Sequence, residues 1–152
     1  MAFIIYSSND SGAPTLNGQT GSLLTVLDAI LVNGYGSKLP AGWTKPLPNT
    51  SSYGMYKMGA GSTASLFVYD AGSGSALGAE AIMTGWEVIT SMDGGTVTGS
   101  SPFPAYNQVS VGFGGGALAG GVVLRKSTAP TANARTWLAF ADSSSMYFFT
   151  KP

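Results

Sequence analysis

The spacing of apolar residues along the chain changes period, and the change predicts its elements. Leu23, Leu24, Leu27, Ile30 and Leu31 recur at helical spacing, with Val26 widening the stripe. They predict one amphipathic helix near residues 22–33. Thr20 or Ser22 stands where a cap is needed, Gly34 lies just past the end, and Asp28 is expected to face solvent. About three turns are too few to persist alone, so the helix must pack on a sheet.

From residue 53 onward the residue types become those of strands. Tyr53–Met58 and Ser65–Asp70 predict a hairpin around a loose turn at 59–63. Ala79–Thr90 predicts one long bent strand with Gly85 as a bulge or kink, closed by a turn at Met92–Gly95. Residues 94–106 are rich in Gly, Ser, Thr and Pro and are expected to form a surface loop. Asn107–Val111 and Val122–Arg125 are further strands on either side of a glycine-rich run, and Lys126–Ala134 is a polar crossing. The clearest hairpin closes the chain, Arg135–Ala141 and Met146–Thr150 around Asp142–Ser145. Its first strand sets Trp137, Ala139 and Ala141 on one face and Leu138 and Phe140 on the other. Apolar residues on both faces imply burial between layers or between subunits.

The N-terminal third is less regular. A short strand lies within Met1–Tyr6, and residues 7–21 are turn formers throughout. They predict an extended arm, laid either over its own domain or on a neighbour, because such a segment buries too little apolar surface to order itself. Prolines at 40, 46 and 48 keep the next stretch extended, and Trp43 within it is expected to be buried as a staple to the core. The fold class that follows is α+β: a single domain over 1–152, mostly antiparallel β-sheet as a sandwich or partly closed barrel, with one helix and an extended N-terminal arm.

Composition narrows the chemistry. The 152 residues include no His and no Cys, which removes imidazole proton transfer, thiolate nucleophiles and the usual zinc ligands. Charged residues make up 9% of the chain, with seven Lys+Arg and seven Asp+Glu, against about 25% in ordinary soluble proteins. A net charge of zero favours association. The scattered cations at 38, 45, 57, 125, 126, 135 and 151 lack the clustering that phosphate-backbone binding requires, so no direct nucleic-acid partner is expected. No apolar stretch is long enough for a signal-peptide core or a membrane span, so the chain is expected to be soluble and unprocessed, with no membrane partner.

Three motifs bear on catalysis or ligand binding. Gly112-Phe-Gly114-Gly-Gly-Ala117 matches the dinucleotide fingerprint in form, yet Val122-Val-Leu-Arg follows where a helix is required, so no nucleotide cofactor is expected. Glu80 and Glu87 are the only glutamates and could serve a glycoside hydrolase, but an odd separation puts them on opposite faces of a regular strand unless Gly85 bulges. Asp142 beside Ser143–Ser145 lacks a base and is expected to be turn chemistry. No catalytic, cofactor or metal residue is therefore assigned. Tyr53, Tyr56, Tyr69 and Trp86 could instead form a sugar-stacking surface or a protein interface.

Two regions carry a resemblance. Ser11-Gly-Ala-Pro-x-Leu16-x-Gly18-x-x-Gly21-Ser-Leu23 is followed by Leu27-Asp-Ala-x-Leu-Val-x-Gly34-Tyr-Gly36-x-Lys38 and by Ala41-Gly-Trp-Thr-Lys-Pro46. Near the end come Leu124-Arg-Lys-Ser127, Ala134-Arg-x-Trp137 and Ala141-Asp142. In these the chain resembles a family of small virion structural proteins of tailed bacteriophages, whereas 71–121 carries no such pattern. The resemblance implies a non-enzymatic particle component assembled in the bacterial cytoplasm, a capsid decoration or cement protein bound to the major capsid protein or other virion subunits. A homo-oligomeric or lattice-bound state is implied with it, and a neck, tail or fibre position is the alternative. A carbohydrate-binding or glycan-hydrolysing module is the rival of another class. The contact residues expected are Asp10, Ala13, Pro14 and Leu16 in the arm, with Trp43, Tyr53, Tyr56 and Trp86.

Overall fold

A computed structural model of the chain describes residues 2–59, 61–71, 78–93, 96–103, 111–113, 116–118 and 121–152. Strand β1 (Ile4–Ser7) precedes helix α1 (Ser22–Leu27), which continues as a wider π-helical segment over Asp28–Asn33. Then follow β2 (Tyr53–Lys57), β3 (Ser65–Tyr69), β4 (Glu80–Asp93), β5 (Thr96–Phe103), β6 (Val111–Phe113), β7 (Gly116–Leu118), β8 (Val122–Arg125), β9 (Thr136–Ala141) and β10 (Met146–Lys151). Every pairing between these strands is antiparallel. One sheet has three strands in the order β1-β9-β10. A second runs β2-β3-β4-β5, with β8 beside β4, and neither closes into a barrel.

The helix is the filling of this α+β sandwich. Leu23, Leu24, Val26, Leu27, Ile30 and Leu31 all lie in one core with Tyr6, Ala139 and Ala141 from the first sheet and Tyr56, Val68 and Ala81 from the second. Trp43 joins them from the proline-rich crossing, donating its indole N–H to the Asp142 carbonyl at 2.7 Å, as a core staple should. The other face of the second sheet carries a smaller core of Phe67, Trp86 and Val97, with Tyr53, Tyr69, Ile89 and Met92 against it.

Several local expectations are corrected. The helix start is capped by neither Thr20 nor Ser22. Asp70, at the end of β3, accepts from the Leu23 and Leu24 amides at 2.7 and 3.4 Å. A carboxylate there satisfies the free N–H groups and suits the positive helix end. Gly34 does end the helix, at φ 76°. Asp28 does not simply face solvent: half-buried at the edge of a cleft, it binds Lys45 at 2.7 Å, the Asn49 amide at 3.0 Å and the Tyr56 hydroxyl at 2.8 Å.

The long strand is present, but its irregularity falls between Ile89 and Ser91, and pairing is continuous through Gly85. Gly85 serves a different purpose: the Phe103 ring lies over it, in the space where a Cβ would stand. Residues 96–103 form strand β5 where a loop was expected. Hydrogen bonding to the long β4 overrides their weak propensity, and Pro102 is tolerated because β5 lies at the edge of the described sheet. Gly94, Gly95 and residues 104–110 fall outside the described residues.

Candidate functional site

The first sheet has two apolar faces, and among the described residues only one is covered. Inward, the rows Ile4–Ala141–Met146 and Tyr6–Ala139–Phe148 meet the core. Trp137 follows, wholly buried, stacked on Phe148 at 6.1 Å and donating its indole N–H to the Pro14 carbonyl. Small alanines in the middle strand let the core approach the backbone closely.

Outward, the rows are Ile5–Phe140–Tyr147 and Ser7–Leu138–Phe149, with Phe3 beyond the end of β1. Exposure reaches 47% for Phe3, 52% for Ile5, 36% for Leu138, 57% for Tyr147 and 55% for Phe149. Phe140 is half-buried. The rings support one another edge-on, Phe140 against Phe149 at 6.2 Å and Phe3 against Tyr147 at 5.8 Å. Such edge-to-face pairs hold aromatic side chains in place and so present a preformed surface. No charged side chain interrupts these two rows; Lys151 and Thr136 lie at the end of the strands. A contiguous apolar patch of this kind marks an interaction surface.

The free edge of β1, by contrast, is blocked by the chain itself. Lys38 donates to the Ile5 carbonyl at 2.9 Å, while Asp10 and the Tyr35 hydroxyl accept from the Ser7 amide at 2.9 and 3.2 Å. Burial pushes the Asp10 carboxyl upward, but the Ser7 amide, Tyr35 and Lys38 together hold it below its ordinary value. Strand-to-strand pairing along this edge is thereby discouraged.

The residues expected to make contacts are mostly spent inside the molecule. Asp10 serves the edge just described. Ala13 and Pro14 are partly buried, and Leu16 is wholly buried and bridged to Arg135. The arm thus lies on its own domain, as one of the two expected courses had it. Trp43, Tyr56 and Trp86 are all buried, so the aromatics do not form one exposed stacking surface, and only Tyr53 and Tyr69 keep partial exposure. Tyr56 is fixed by Asp28 and Asn49, and Trp86 donates to Thr84 at 2.9 Å. Phe3, Ile5, Tyr147 and Phe149 were not expected as contacts, although the alternation at Leu138 and Phe140 already pointed to their face.

Glu80 pairs with Arg125 at 2.9 Å, and the unbroken register from Glu80 to Glu87 keeps the two carboxylates on opposite faces. Asp142 accepts from the Ser144 and Ser145 amides at 2.8 and 2.9 Å, which is turn chemistry. Val111–Phe113 pairs antiparallel with Gly116–Leu118, so residues 116–118 of the glycine-rich run are strand where the dinucleotide fingerprint needs a helix. Among the described residues no group of three or more His, Cys, Asp or Glu could hold a metal, and no helix is long and apolar enough to cross a membrane. An open cleft of about 450 Å³ beside the helix start is lined by polar groups such as Asn17, Thr20, Asp28 and Asn49, with no aromatic ring for a sugar to stack on.

One constellation went unforeseen. Lys126, assigned to a polar crossing, is wholly buried and ion-paired with the equally buried Asp70. It also donates to the Gln19 carbonyl at 2.8 Å and to Ser22 Oγ at 3.2 Å. Burial raises the Asp70 pKa and lowers that of Lys126, each opposed by the partner's charge. The pair clamps the arm, the helix start and the second sheet together.

Comparison with protein-family models, with curated proteins and with solved structures finds no match.

Proposed function

We propose that this chain is a virion structural protein of a tailed bacteriophage that works by adhesion, most plainly as a capsid decoration or cement protein. The observation that carries the proposal is the outer face of the β1-β9-β10 sheet, which no described residue covers. Large apolar side chains exposed there favour burial by about 25 cal/mol per Å², so the face gains free energy whenever another subunit covers it. Low charge supports the same role, because two nearly uncharged surfaces meet without stripping water from ions. Phage origin rests on the sequence resemblance at 11–46 and 124–142.

Repetition over a lattice multiplies a modest contact into a strong attachment. No reaction is assigned to the chain. The test is a mass-spectrometric count of copies in purified particles. A number tied to the capsid lattice supports decoration, a few copies indicate a neck or tail position, and absence from finished particles overturns the proposal.

A further inference from the structure

Resting on that adhesive reading, we infer that the outer face of the β1-β9-β10 sheet binds a second copy of this chain, the two sheets stacking face to face about a two-fold axis.

Three observations select a second copy. First, the two rows Ile5–Phe140–Tyr147 and Ser7–Leu138–Phe149 are free of charge, so the surface is complementary to itself. A two-fold contact buries the same patch twice with no ion left unpaired. The chain's zero net charge adds no long-range repulsion between copies.

Second, the size fits. An aromatic side chain can bury ~150–250 Å², and the exposures given above leave on the order of 500 Å² of apolar surface on each copy. With the polar border of Ser7, Thr136 and Lys151, this approaches the roughly 800 Å² per partner of a standard specific interface. The arrangement is the usual one, an apolar centre and a polar rim.

Third, one of the sheet's two edges is closed to strand addition, whereas the face is open. Lys38, Asp10 and Tyr35 occupy the outer edge of β1, so a copy cannot add there as another strand. Face-to-face stacking needs no backbone group, and aligned sheets pack at about −30° with side chains interdigitating. The edge-on ring pairs already fix Phe149 and Tyr147 in position, which lowers the ordering cost of association.

Sedimentation velocity of the purified full chain tests this, with Phe149→Asp as the disrupting variant and Val88→Ser, an exposed apolar residue on another sheet, as control. Circular dichroism confirms that each variant is folded. A dimeric wild type and control are expected, with Phe149→Asp weakened at least about a hundredfold because the two-fold places the charge in the interface twice. A monomeric wild type overturns the inference, as does a Phe149→Asp variant that dimerises as before. The adhesive role fails separately. A monomeric chain that enters particles, while Phe149→Asp does not, sinks the second copy and leaves the role standing; a dimer missing from particles sinks the role alone.

Discussion

The two faces of the β1-β9-β10 sheet carry similar hydrophobicity and opposite fates. On the inner face, Trp137, Ala139 and Ala141 are sealed by helix α1 and the second sheet. On the outer face, Leu138, Phe140, Tyr147 and Phe149 meet nothing else in the described chain that removes them from water. The middle strand shows what separates the two. Alanines are used where another element must come close, and large side chains where the surface must reach outward. Apolar character alone therefore does not define a core; it defines a face that needs a partner, which either the same chain or another molecule supplies.

Breaking the inner face should have the largest effect. Trp137→Ala removes a wholly buried indole and its bond to Pro14, and a loss of about 3–5 kcal/mol of stability is expected in urea denaturation. Lys126→Met should cost a comparable ~3–5 kcal/mol, because Asp70 is left buried without its counter-charge. A midpoint close to that of wild type for either variant would show that the sealed side is not the source of stability.

The outer face should respond in the opposite manner. Phe149→Ser is expected to cost monomer stability only about 1 kcal/mol, well below Trp137→Ala, since about half of the side chain is in water and its edge-on contact with Phe140 is what is lost, while reducing association. A stability loss as large as that of Trp137→Ala would erase the distinction between the faces.

A smaller effect concerns pH. Burial pushes the Tyr6 phenol on the inner face up to about 12, and it raises Tyr56 as well, with Asp28 adding to the rise. An unfolded tyrosine ionises near 10, so the stability these groups contribute is complete below about pH 10 and is lost as pH climbs toward 12. Denaturation midpoints should fall across that window, and Tyr6→Phe should flatten the decline. A profile unchanged by Tyr6→Phe would exclude that phenol as its source.

Much of this was legible in the chain, for local reasons. Period two in Trp137–Ala141 separated the faces, and helical spacing from Leu23 to Leu31 located the helix. Asp142 with its serines marked the closing turn. The rest depends on residues far apart in sequence. Asp70 caps the helix from 47 residues away and Lys126 answers it from 104 residues beyond Ser22, so neither role leaves a local trace. Strand β5 is imposed by pairing with β4 upon residues that otherwise favour loops. At the candidate site, Leu138 and Phe140 signalled an apolar outer face, whereas Phe3, Ile5, Tyr147 and Phe149 join it only through the register of three strands. Trp43, Tyr56 and Trp86 were attractive as contacts because aromatics favour interfaces, but they favour cores equally, and burial decided among them.

Hydroxyl-radical footprinting of Tyr147 and Phe149, read by mass spectrometry, tests the central claim directly. In free protein diluted until it is monomeric both rings should be readily modified, and in the assembled particle both should be strongly protected while Val88 stays reactive. Equal labelling of the two rings in both states would contradict a role for this face in assembly.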